Sequence, residues 1–127
     1  MILLVEDNED DAFAFRWALK KAQITRPLFV VTDGKQAIEY LAGEGSFSDR
    51  SAHPMPSLVF LDLKLPYFTG WDVLAWVRAN LPACPFSVVI LSGSDEARDH
   101  ERARELGAAD YLVKPATPEQ LARLITL

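Results

Sequence analysis

Five side chains able to do chemistry stand where apolar runs end. Ile2-Leu3-Leu4-Val5 runs into Glu6-Asp7, Leu58-Val59-Phe60-Leu61 into Asp62, Phe86-Ser87-Val88-Val89-Ile90-Leu91 into Ser92, and Asp110-Tyr111-Leu112-Val113 into Lys114. If those ends share one edge, three carboxylates, a hydroxyl and an amine meet there. Close carboxylates repel, so a cluster that stays ionised needs a cation. Oxygen ligands without His or Cys point to a hard ion, Mg²⁺ or Mn²⁺. An aspartate can attack phosphorus to give an acyl phosphate. The metal and the Lys114 ammonium would neutralise charge on the transferring oxygens, and the Ser92 hydroxyl could hydrogen-bond the same group. The chemistry these residues predict is phosphoryl uptake on Asp62.

The elements that would position them follow from periodicity. Apolar runs of this length, bounded by Pro and Gly, read as strands buried on both faces of a parallel sheet. Leu28-Phe29-Val30-Val31 adds a further strand. Helices are predicted from Asp10 to about Ala22, with Ala12, Phe15, Leu19 and Ala22 as the core stripe; from Gly34 to near Gly43; from Gly70 to about Ala79, with Val73, Leu74 and Val77 inward; from Asp95 to Leu106; and from Thr117-Pro118 through Leu121, Leu124 and Ile125. Only Ala97, Ala103 and Leu106 look inward on the heavily charged fourth helix, which should be the least firmly anchored. Five strands alternating with five helices predict a three-layer α/β sandwich with a five-stranded parallel sheet in the flavodoxin-like order 2-1-3-4-5. Strand ends then share the carboxyl edge, where open α/β sheets put their sites.

Composition narrows the class. The 127 residues suit one domain, taken as residues 1–127, and half are apolar. A net charge of -5 with no Lys or Arg run argues against nucleic acid. No apolar run reaches membrane-spanning length, and the single cysteine, Cys84, suits a reducing cytosol and a filler role. The expected location is cytoplasmic.

Val5-Glu6-Asp7-Asn8, Leu61-Asp62-Leu63-Lys64-Leu65-Pro66 with Gly70, Leu91-Ser92-Gly93, and the run from Gly107 to Pro115 resemble the receiver domain of two-component response regulators. The resemblance covers essentially the whole chain, and four motifs in order at the right distances are very specific. It implies that Asp62 is the phospho-acceptor. Glu6 and Asp7 would hold Mg²⁺ with Asp62 and the backbone carbonyl of Lys64. Ser92 would be the switch hydroxyl, Tyr111 the aromatic switch, and Lys114 the partner of the phosphate; Lys114-Pro115 would be a cis peptide. Lys64 and Ser94 stand where the family tunes phosphate lifetime. The long Glu44 to Ser57 loop and the lack of an output domain look like the small single-domain regulators paired with phytochrome-type histidine kinases. A first residue at the start of a strand and a short last helix fit a chain trimmed at either end.

The reading is therefore a switch, not an enzyme beyond its own phosphoryl uptake and loss. Its donor would be a sensor histidine kinase, phytochrome-like by resemblance, and a homodimer would form through the fourth helix, fifth strand and fifth helix. The alternative is a receiver-like interaction module that works without phosphorylation. A dehalogenase-type phosphatase would carry a second acid where Lys64 stands, and a flavodoxin-like cofactor binder would not place six polar and acidic residues after its first strand. Phe13 and Trp17 are expected to flank the core or pack on a neighbouring helix, Tyr67 and Phe68 to pack over neighbours, and His53 and His100 to face solvent.

Overall fold

Every strand carries apolar residues on both faces, so each face of the sheet must be covered by helices. The computed structural model describes residues 1–125. The strands are β1 (Ile2–Val5), β2 (Leu28–Val31), β3 (Leu58–Leu61), β4 (Ser87–Ser92) and β5 (Asp110–Val113). The helices are α1 (Glu9–Lys21), α2 (Gly34–Ala42), α3 (Gly70–Asn80), α4 (Ala97–Glu105) and α5 (Pro118–Leu124). The sheet is parallel in the order β2-β1-β3-β4-β5, as expected.

Alternation along the strands divides the interior in two. Ile2, Leu4, Leu58, Phe60, Val89, Leu91 and Leu112 pack against Phe15, Ala18 and Leu19 of α1 and Leu121 of α5. Leu3, Val5, Val59, Leu61, Val88 and Ile90 pack against Ala37, Tyr40 and Leu41 of α2, Val73, Leu74 and Val77 of α3, and Ala103 of α4. Ala18 takes the core place expected of Ala12 and Ala22, which are half-buried. Ala97, expected inward, is exposed, leaving Ala103 as the only buried residue of α4.

The Glu44 to Ser57 segment is more ordered than its composition implies. A 3-10 turn, Gly45–Phe47, buries Phe47 against Phe29 and Tyr40. Arg50 donates to the carbonyls of Tyr40 (2.7 Å), Leu41 (2.9 Å) and His53 (3.1 Å), which closes the carboxyl end of α2. His53 is not solvated as expected. It packs edge-on against Phe29, Tyr40 and Phe47, because the loop folds back over the aromatic end of α2.

Two glycines set how close the helices come to the strand ends. A Cβ on Gly70 would run into the backbone of Asp62 and Leu63, and one on Gly34 into the carbonyl of Phe68. Gly70 N–H donates to the Leu63 carbonyl at 3.0 Å, so α3 starts directly against the residue that follows Asp62. Gly70→Ala must push α3 away from β3, and we expect a loss of about 1–3 kcal/mol in urea unfolding. Gly93→Ala, where a Cβ meets nothing, should lie within about 0.5 kcal/mol of wild type. Equal stability of the two variants would contradict this packing.

Candidate functional site

The ladder hydrogen bonds do not stop where the strands do. Glu6 N–H donates to the Val31 carbonyl (3.0 Å), Asp62 N–H to Val5 (3.1 Å) and Lys114 N–H to Ser92 (2.8 Å). Each reactive residue is thus fixed one step past an apolar run, at the carboxyl edge of the sheet. Glu6, Asp62 and Ser92 are the only buried polar or charged residues among those described. Asp62 keeps 5% of its surface exposed, while Asp7 is open to solvent.

Lys114 ties the cluster together. Its Nζ lies 2.6 Å from Glu6 Oε1, 2.9 Å from Asp62 Oδ2 and 2.9 Å from Asp11 Oδ2. The remaining oxygens of the two buried acids face backbone donors: Asn8 N–H reaches Glu6 Oε2 (3.3 Å), and Lys64 N–H reaches Asp62 Oδ1 (3.2 Å). Burial pushes the Glu6 carboxyl up to about 7; the Lys114 hydrogen bond opposes that shift and the Asp62 charge adds to it. Burial pulls the Lys114 ammonium down, but its hydrogen bonds to Glu6, Asp11 and Asp62 outweigh this and hold it above the usual lysine range. Lys114 therefore stays charged across the physiological range.

Glu6, Asp7 and Asp62 each offer an oxygen within 4.8 Å of the others. That all-carboxylate set fits a hard divalent cation. Ser92, fully buried, accepts a hydrogen bond from Ser94 N–H (3.1 Å), and Ser94 Oγ in turn donates to Asp99 Oδ2 (2.8 Å). Tyr111 is half-buried, and its hydroxyl donates to the Ser94 carbonyl (2.8 Å). Its ring stacks on His100, 3.8 Å between centroids. His100, expected in solvent, is held there by that stack and by Asp95 Oδ1 at 2.9 Å. The Lys114-Pro115 peptide is cis, as the resemblance implied.

The sequence-predicted residues Glu6, Asp7, Asp62, Ser92 and Lys114 thus gather on one edge, with the side chain of Lys64 exposed beside them, while Tyr111 lies further back in β5, paired with Ile90, and reaches Ser94 through its hydroxyl. One member was missed. Asp11 reads as one more acid in a helix's first turn, where the dipole favours it. Yet its side chain reaches back over the sheet edge to Lys114. Only its place, one turn past the first strand's end, hints at this. Tyr67 and Phe68, expected to pack over neighbours, are exposed instead, Tyr67 by 83% with φ 69°. Gly34 approaches the Phe68 carbonyl so closely that a Cβ there would clash with it.

Comparison with known proteins agrees with this geometry. Response regulator Rcp1 of Synechocystis is 32% identical over 125 residues, covering 98% of this chain and 83% of that protein. Its solved Mn²⁺-bound form superposes with a TM-score of 0.78 at 33% identity, covering 97% of this chain and 86% of that one. The bacteriophytochrome response regulator RtBRR gives a TM-score of 0.84 at 38% identity, over 96% of this chain and 73% of that one. The phosphorylated cyanobacterial phytochrome response regulator RcpA gives 0.80 at 33%, over 97% and 86%. The family model for the response regulator receiver domain matches residues 2–126, and the chain belongs to that family.

Proposed function

We propose that this protein is a phosphorylation-controlled switch of a cytoplasmic two-component pathway, with Asp62 as its acceptor. The observation that carries this reading is the buried Asp62 carboxylate held against the Lys114 ammonium at the carboxyl edge, with two more acids in reach. The donor is a phosphohistidine on a sensor histidine kinase. A carboxylate oxygen of Asp62 attacks phosphorus, the P–N bond breaks, and the imidazole leaves. Likeness to phytochrome response regulators supports a phytochrome-type kinase as that donor. Glu6, Asp7 and Asp62, with the Lys64 carbonyl, would hold Mg²⁺ or Mn²⁺, which would neutralise charge on the phosphoryl oxygens.

The chain's own residues do the rest. Lys114 stays within one hydrogen bond of the acceptor and can follow the new charge. Ser92 has a hydroxyl proton free to donate once a phosphoryl oxygen is near. Drawing Ser92 in disturbs the Ser94 N–H bond it now accepts, and Ser94 also bonds Asp99 of α4 and the Tyr111 hydroxyl. Phosphorylation would therefore bias α4 and Tyr111 between two arrangements.

Intact-mass spectrometry with a small phosphodonor tests the chemistry. Wild type should gain one phosphoryl group only with Mg²⁺, and Asp62→Asn none. An adduct that survives in Asp62→Asn would place the acceptor elsewhere. No adduct from the phosphodonor or from a kinase would favour an interaction module that works unphosphorylated.

The burial of Glu6 beside another acid has its own signature in chelator. Glu6 binds its proton more tightly in the folded chain than at its ordinary 4.5. The folded state then holds more protons than the unfolded one between about pH 5 and 7, so stability falls as pH rises through that window. Glu6→Gln removes the charge and should be more stable than wild type at about pH 8, by on the order of 2–3 kcal/mol, with the gain vanishing near pH 5. Urea unfolding at both pH values would show it. A variant less stable than wild type at the higher pH would mean that the Lys114 pairing outweighs the burial of Glu6.

A further inference from the structure

The first helix has a side that the site does not use. Glu9, Asp10, Phe13, Trp17, Lys20 and Lys21 are all exposed, Phe13 by 71% and Trp17 by 53%. At about 100° per residue they fall within an arc of roughly 120°, opposite the buried Phe15, Ala18 and Leu19. Contrary to the expectation from periodicity, these aromatics neither flank the core nor pack on a neighbouring helix among the described residues. By contrast, α4, β5 and α5 expose no large apolar side chain among the described residues.

The order of residues along this side is self-complementary. It reads two acids, two aromatics, two lysines. A two-fold axis level with residue 15 and perpendicular to the helix exchanges 13 with 17, 10 with 20, and 9 with 21. We propose that this face of α1 is an isologous interface on which a second copy of the chain docks antiparallel, with Phe13 against the partner's Trp17 and Asp10 and Glu9 opposite the partner's Lys20 and the partner's Lys21. A parallel pairing would set acid on acid and lysine on lysine. Antiparallel pairing sets each acid by a lysine and each helix's amino end by the other's carboxyl end, which the dipoles also favour. Lys21 already lies over the Trp17 ring, 5.9 Å from its centroid, so a cation stands beside the aromatic step.

Four aromatic rings at about 150–250 Å² each make a small interface, in the range of weak and transient contacts. The protein should therefore be a monomer when dilute and dimerise with a dissociation constant on the order of 100 μM. Sedimentation equilibrium of the full chain up to about 1 mM reads this directly. Trp17→Ser should abolish the dimer over that range. Asp10→Lys and Lys20→Asp should each weaken it by about tenfold or more, since the symmetry changes two pairs at once. Mixing those two variants decides the matter. In the mixed dimer the two substituted positions face each other across the axis with opposite charges. The unchanged Lys20 of the first variant then meets the unchanged Asp10 of the second, so the mixed dimer should form at least as well as wild type. All three sites are exposed, and circular dichroism should show unchanged folding.

A chain monomeric throughout the range overturns the proposal. So does a dimer indifferent to these substitutions, which would lie on another face, or a mixture that associates no better than its components. If the substitutions instead slow phosphoryl transfer from a kinase while the chain stays monomeric, the face belongs to the donor.

Discussion

One half-buried ammonium sets the terms for this edge of the molecule. Among the described residues, Lys114 is the sole cation in contact with Glu6, Asp11 and Asp62, and Asp7 adds a fourth carboxylate nearby. Four carboxyl groups share one ammonium, which leaves the cluster short of positive charge. The strain shows at Glu6, whose carboxyl sits near neutrality on the pH scale because burial and Asp62 both oppose its charge. A phosphoryl group, as proposed for Asp62, would bring more negative charge, and a further cation would offset it. On the proposed reading, the site would respond to what binds because its charges are out of balance beforehand.

That arrangement is a product of the sheet and would not survive a different topology. Glu6, Asp62 and Lys114 come from three strands, and each is pinned by a backbone hydrogen bond continuing the parallel ladder. The close start of α3 against Leu63, made possible by Gly70, fixes the turn after Asp62 so that Lys64 N–H meets Oδ1. Asp62 is therefore held by its strand, by its own loop and by Lys114 at once. Such restraint would keep the proposed nucleophile aligned without help from its substrate.

What could be read from the sequence was whatever rests on burial from two sides. The five strands show as apolar runs because both faces are covered, and their ends give the edge and the site. Val73, Leu74 and Val77 were legible because α3 has a clean inner stripe. Asp11, His53, His100, Phe13 and Trp17 were not, for one shared reason. Periodicity shows which side of an element turns from the core, yet it does not show whether another element comes to meet that side. For Asp11 the answer was Lys114, more than a hundred residues on. For His53 it was a loop folding back on Phe29, Tyr40 and Phe47; for His100 it was the Tyr111 ring; for Phe13 and Trp17 no element among the described residues arrives.

The elements around the site differ in how firmly they are held. Helix α1 buries Phe15, Ala18 and Leu19 and carries Asp11 onto Lys114, so it is tied both to the core and to the charge cluster. Helix α4 buries Ala103 alone; its other ties are polar or lie at the surface, namely Ser94 to Asp99, the His100–Tyr111 stack and the Arg102 guanidinium 4.4 Å over the Trp71 ring of α3. Segments with few buried apolar contacts open at low free energy. A change at Ser92 therefore meets little resistance through Ser94 into α4, and much more through Asp11 into α1. On the proposed reading, that asymmetry would leave α4 the side that moves with the state of the site and α1 the side that presents a fixed surface beside it.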